Sequence, residues 1–345
     1  MMRKLIIFTL FFCFSVMAFI VPPNAEARAT APPVTLQYPK EVGDGTAFPV
    51  TVTGKDLASV TLSFLNRSIT AKPDKTASGN AELLLLLPVP LDHDSGPATI
   101  TWSAKFSNGS ASGGSVGITV AKRKYPVQKL TVEPKYVTPD PELKERLDRE
   151  RALMGKALNT RSNTRHWTLP MARPVPGKIT SLYGLRRVLN GQPRNSHKGL
   201  DFRGAQGSPI AAIADGTVVL TGDFYYAGKF VVVDHGLGVV SISMHMSEII
   251  AYQGQTVKTG DNIGLVGSTG RSTGPHLHLG VSVLGQSIDA LPLIAQTEED
   301  KADYAAAMRD VSEAPQKKTA RKTGEREKKK KSGTTSIKKP AKSRL

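Results

Sequence analysis

Residues 169–294 contain seven short runs rich in β-branched and other apolar residues, at 177–182, 210–214, 216–221, 230–234, 239–245, 262–267 and 276–284, set off by glycine-bearing turns. Hardly any helical periodicity interrupts them. Runs of this length between Gly turns specify an antiparallel sheet, so this part of the chain is constrained to an all-β domain. A second series, at 47–53, 59–65, 81–87, 98–106 and 115–120, falls before residue 122. Alternation such as Val60-Thr61-Leu62-Ser63-Phe64 predicts a small sandwich there. Residues 83–87 form an unbroken apolar run that suits a strand or a helix segment; five residues stopped by Pro88 and Pro90 favour the strand.

Between the two β regions the chain reads as a connector punctuated by Pro126, Pro134, Pro139 and Pro141. It holds one amphipathic helix. Asp140 is its N-cap, Pro141 its first residue, Leu143, Leu147, Met154 and Leu158 its apolar face, and Asn159 its end. The interleaved charges at 144–151 are taken as its solvent face. A further helical stretch is expected at 302–308. The fold class is therefore mainly β: an N-terminal β-sandwich-like domain (30–122), a linker with the connector helix (123–167), a C-terminal antiparallel β-sheet domain (168–295) and a disordered Lys-rich tail (313–345).

The 345 residues are 39% hydrophobic and 22% charged with no visible repeat, which excludes solenoid, collagen-like and wholly disordered chains. The formal charge of +17 suggests a nucleic-acid binder until its distribution is read. Residues 315–345 carry 13 Lys and Arg against 2 acids, so the folded middle is only mildly basic. Lys328-Lys329-Lys330-Lys331 has no aromatic interleaving for base stacking, so no specific nucleic-acid partner is expected. Unspecific electrostatic contact with anionic polymers or lipid suits such a tail better. At the other end Arg3 and Lys4 precede an apolar run at 5–21 and the triplet Ala25-Glu26-Ala27, the plan of a signal peptide (1–27). Cleavage after Ala27 would export the chain to the periplasm or cell envelope; an uncleaved membrane anchor is the alternative. The single cysteine, Cys13, lies within this run, which excludes Cys-based chemistry from the mature chain.

Five of the seven histidines fall in the second β region, and four of them make a constellation. His197 and Asp201 stand four apart beyond a turn at 190–193. His276 and His278 enter a strand after the flexible 267–275 loop, and alternation puts both on one face. His245 ends the 239–244 run, opposite in face to Ile242 and Met244. Two His and one Asp with an open position form a ligand set for catalytic zinc, leaving one His of the H-x-H pair and His245 to move protons. Each element alone also suits an ordinary core or turn residue. His93, between Asp92 and Asp94, is read as a solvated turn residue, His235 at a strand end as a turn histidine shaping the fold, and His166 beside Trp167 as neither ligand nor catalyst. The 267–274 glycines lack the Lys-Ser/Thr ending of a phosphate-binding loop; Tyr225 and Tyr226 could line a groove.

Order and context add to this. Ser181-Leu182-Tyr183-Gly184-Leu185-Arg186, His197 to Asp201, Ala212 to Val218, Val233-Asp234-His235-Gly236, His245-Met246-Ser247, Gly254 to Asp261 and Gly267 to His278 follow one another. Over about residues 168 to 294 this series resembles the lysostaphin/LytM-type zinc metallopeptidases, which cut peptide cross-links in bacterial peptidoglycan. The resemblance implies that His197, Asp201 and His278 hold one Zn2+ per chain and that His245 and His276 assist catalysis. It further implies a groove on an open sheet, peptidoglycan stem peptides as substrate, and wall polymers as one anionic partner for the tail. Ser243 replaces a frequent aromatic residue, and Leu279-Gly280 a frequent aromatic-acid pair; both bear on substrate fit. A catalytically inactive wall-binding protein, or an activator of another wall hydrolase, is the alternative function.

Overall fold

A computed structural model describes residues 31–75 and 80–309. The leader and the basic tail lie outside the described residues. The first β region forms two sheets. One orders Val34–Gln37, Ala47–Lys55, Asn80–Pro88 and Asp74–Lys75; the other orders Glu41–Gly43, Ala111–Ala121, Gly96–Phe106, Leu57–Phe64 and Arg67–Ala71. Alternation drives the packing. Val50 and Val52 on one sheet, and Val60 and Leu62 on the other, have no solvent exposure. Burying each such side chain stabilises the fold by roughly 1.5–3 kcal/mol. Phe48 and Phe64, one from each sheet, meet edge to face at 5.3 Å. The 83–87 run is strand, its length and prolines having the physical effect read from the sequence.

The second region is built on a large antiparallel sheet. Its main path runs Ile179–Ser181, Leu200–Arg203, His276–Val283, Val239–Ile249, Gly228–Gly236, Gly216–Phe224 and Thr256–Val257. Val239–Ile249 and His276–Val283 lie at its centre and are mostly buried on both faces, the ends nearest His245 and His276 being partly exposed. Asn262–Val266 pairs with Pro209–Ala211 and with Val239–Ile249, so the loop after it begins beside the sheet's centre.

The connector contributes more than a link. Val127–Leu130 is a strand, running parallel to Arg186–Leu189, which in turn pairs antiparallel with Gln192–Pro193. A four-residue strand whose partner is some sixty residues away leaves no local pattern in the sequence. Downstream, Asp140 caps as expected: its carboxylate accepts from the Glu142 N–H at 2.9 Å. A 3-10 turn Pro141–Leu143 leads into the α-helix Lys144–Leu158, capped at Asn159. Ala157, Met154 and Leu158 pack against Phe230, Val232, Val240 and Ile242 on the large sheet. One member of the supposed solvent face is buried instead. Glu150 is 8% exposed. Its carboxylate accepts from Arg146 Nε at 2.7 Å and from the Tyr225 N–H at 2.9 Å. A buried carboxylate persists where both oxygens are hydrogen-bonded.

A last helix, Glu298–Arg309, folds back on the body: Asp300 pairs with Arg173, and Tyr304 meets Arg123. Arg123 also binds Asp289 at 2.9 Å, while Arg67 donates to the Leu284 carbonyl at 2.6 Å. The sandwich and the large sheet thereby share one continuous hydrophobic core.

Candidate metal centre

Asp201 lies on Leu200–Arg203, and that strand's register sets it opposite His278. Paired residues of an antiparallel ladder share a face. His278 Nδ1 is 2.8 Å from Asp201 Oδ1. His197, just before the strand, brings its Nε2 to 3.0 Å from both Asp201 Oδ1 and His278 Nδ1. Ligands about 2 Å from a tetrahedral ion lie roughly 3.3 Å apart, so this triangle has the right scale for one metal ion. All three side chains are little exposed, at 2%, 10% and 12%.

The chemistry of the donors agrees. His197 Nδ1 donates to the Leu182 carbonyl at 2.8 Å, with Ser181 Oγ 3.2 Å away, which leaves Nε2 with its lone pair turned inward. Burial opposes a charge on Asp201, yet the histidines' charges and hydrogen bonds outweigh it and hold the carboxyl well below its usual range. Burial pushes His278 down to about 4 against the attraction of Asp201, so the imidazole is neutral at pH 7 and able to ligate. Arg187 donates to Asp201 Oδ2 at 3.1 Å, fixing the carboxylate so that Oδ1 faces the histidines. The backbone leaves room for the ring by omission: a Cβ on Gly199 would lie 2.6 Å from His278 Nε2.

His245 and His276 stand beside the triangle, their rings 4.8 Å apart. His276 Nε2 is 3.8 Å from Asp201 Oδ1, and its Nδ1 donates to the Gly274 carbonyl at 2.8 Å. His245 Nδ1 donates to the Thr269 carbonyl at 2.8 Å. In both rings Nε2 is thereby the basic nitrogen. Burial, joined by repulsion from His278 and His276, pushes His245 down to about 3.

The placement of His245 departs from simple alternation. Met244 pairs with His278 and shares its face, so a regular strand would turn His245 to the other face. One extra residue enters Val239–Ile249 here, where Val231 pairs with Ser243 but Lys229 with Met246. His245 sits in this bulge at φ +64°, and the bulge returns its ring to the side of the His197, Asp201 and His278 triangle.

The five sequence-predicted residues are thus gathered at one place. Four of them, Asp201, His245, His276 and His278, line an open cleft of about 380 Å³, with His197 buried behind it. Gln128, Leu130 and Val132 form part of its wall, a part played by the supposed linker. Tyr225 instead bonds the Lys135 carbonyl, and Tyr226 backs the cleft through Arg271. His235 is a fully buried structural residue, bonded to the Asp215 carbonyl and to Ser241 Oγ. Sequence reasoning missed Arg187 and the carbonyls of Leu182, Thr269 and Gly274. The carbonyls belong to segments already in the ordered series, whereas nothing local marks Arg187. The Gly280 departure has a steric counterpart: a Cβ there would come within 2.8 Å of Ile242 Cγ2.

Residues 195–290 match the sequence model of peptidase family M23. The chain is 40% identical over 121 residues to the peptidoglycan DD-endopeptidase ShyA of Vibrio cholerae, a match covering 34% of this chain and 28% of that protein. The chain thus spans under a third of the length of such curated relatives. It is 32% identical to the catalytic domain of lysostaphin from Staphylococcus simulans, covering 38% of this chain and 92% of that domain, with a TM-score of 0.29. A Pseudomonas aeruginosa crystal structure assigned to peptidase M23 covers 73% of this chain and 94% of its own, at 27% identity and a TM-score of 0.55.

Proposed function

For a chain that carries a domain of peptidase family M23 over residues 195–290, we propose an exported zinc metalloendopeptidase that hydrolyses peptide cross-links of bacterial peptidoglycan. The observation that carries this is the His197, Asp201 and His278 triangle, one nitrogen or oxygen from each, in a cleft that also holds two further histidines. These three would be the ligands. A bound zinc would supply a Lewis acid for the scissile carbonyl and acidify a water to near-neutral pH.

The chain's own residues do the rest. His245 Nε2, neutral at pH 7, takes up the proton that the attacking water releases and returns it to the leaving amine nitrogen. His276, its ring held by the Gly274 carbonyl, stands beside the carbonyl oxygen and stabilises the negative charge that gathers there. Thr269 and Gly274 carbonyls hold both rings in orientation. The cleft is open, as an extended peptide requires. The substrate class follows the ShyA similarity, and the exported location follows the apolar leader at residues 5–21.

Purified sacculi digested with and without a chelator test the reading. Cross-links should be cut only with metal present, and zinc should restore cutting. If zinc-loaded protein leaves every cross-link intact while His278→Ala binds sacculi as well as the wild type, the wall-binding function replaces this one.

A further inference from the structure

The cleft is unusually cationic for a site with one acid. Among the described residues that line it, Asp201 is the only carboxylate, against Arg187, Arg203 and Arg271. Asp201 is fully engaged, Oδ1 with the histidines and Oδ2 with Arg187. The arginines are not. Arg187 spends Nη2 on Asp201, and its Nε is buried without a hydrogen-bond partner. A buried guanidinium nitrogen left unpaired is costly, so Arg187 stands at the cleft wall as an incompletely compensated positive charge.

Arg271 stands on the 267–275 loop and lines the same cleft as Arg187. Its guanidinium lies over the Tyr226 ring at 4.8 Å, which fixes its plane, and none of its ion pairs with a described carboxylate is present. Burial, with repulsion from Arg187 and Arg194, pushes it below its ordinary value, a strain that an anion would relieve. The planar guanidinium fork of Arg271, with the positive charge of Arg187 lining the same cleft, suits a carboxylate, which accepts bidentate bonds.

We propose that Arg271 and Arg187 form a carboxylate subsite beside the scissile bond, selecting peptides with a free carboxylate on a residue flanking the cleaved amide. This deepens the peptidase reading and rests on it for the identity of the bond. Arg271 is the specificity-determining residue; Arg187 also positions Asp201.

The test uses two synthetic D,D-linked peptide dimers in which a ketomethylene replaces the scissile amide. One bears a free carboxylate on the flanking residue and the other a primary amide. Calorimetry with the zinc-loaded full chain should give a Kd about tenfold or more lower for the carboxylate form, the range of a charge-assisted hydrogen bond. Arg271→Gln should bring the two affinities together by weakening only the carboxylate form, and Arg271→Lys should restore part of the difference. An unchanged unfolding temperature in Arg271→Gln would exclude a folding defect. Equal affinities in the wild type, or equal weakening of both forms in Arg271→Gln, overturn the proposal. Failure of the peptidase reading looks different: the preference persists while the cleavable amide dimers stay intact.

Discussion

At the scale of the residue, His245 shows how backbone conformation sets the direction of a side chain. A non-glycine residue at φ +64° costs on the order of 1–3 kcal/mol, and such strain persists only where surrounding contacts enforce it. Here the His245 N–H bonds the Ala227 carbonyl and its ring the Thr269 carbonyl. Replacing His245 with Gln should lower kcat by about 10²- to 10⁴-fold, the usual contribution of a general base, with bound metal unchanged. Steady-state kinetics alongside elemental analysis of the purified variant separates this from loss of a ligand. Reduced metal content in His245→Gln would place His245 in the ligand shell. The motif that drew attention to His245 was legible in the sequence; the direction of its ring was not, because alternation turns it away from His278.

At the scale of the element, the site depends on how closely Leu200–Arg203 can approach His276–Val283. The approach is set at its entrance by Gly199. A Cβ there would come within 2.5 Å of the Leu279 carbonyl oxygen as well as meeting the His278 ring. Neither neighbour can yield cheaply, since one is backbone and the other a packed ring. Gly199→Ala should therefore lower stability by about 1–3 kcal/mol, as overpacking does, and weaken metal affinity more than tenfold. Denaturant melts and a competition titration with a zinc chelator check both effects. Wild-type metal affinity in this variant would show that the strand pair tolerates a wider separation. The sequence announced the His-x-x-x-Asp and His-x-His motifs, and it announced the long strands. It did not announce Leu200–Arg203 or Val127–Leu130, because four residues carry too little periodicity to stand out from loops. Their partners, not their composition, make them strands.

At the scale of the whole molecule, the connector threads past the end of the large sheet and is fastened there. His166 N–H bonds the His235 carbonyl, Trp167 Nε1 bonds that of Gly236, and Leu237 N–H bonds that of Ser162. His235 lies beneath this crossing. Burial pushes it down to about 4, so folding requires a neutral ring. Above about pH 6.5 both folded and unfolded chains leave it unprotonated. Between pH 6.5 and 4 the unfolded chain binds a proton that the folded chain refuses, so stability falls as pH falls through that window. Between pH 7 and 5 the group should cost about 2 kcal/mol. Urea melts at those two pH values should show wild type losing more stability than His235→Gln by about that amount. Equal losses would mean that His235 accepts its proton within the native fold.

The sequence by itself determined which residues could do chemistry and where the strongest strands run. Residue type, turn glycines and two-residue alternation are local properties, written within a few positions of one another. It determined Asp140 as a cap and 83–87 as strand for the same reason. Tertiary structure decided what depends on register between distant segments: Arg187 against Asp201, Gln128 and Leu130 in the cleft wall, Glu150 turned inward to meet the Tyr225 N–H. It also decided the bulge at His245, because an extra residue in a ladder exists only relative to the neighbouring strand. Hydrogen bonds across a sheet couple positions that no local pattern relates, and the site is built from those couplings.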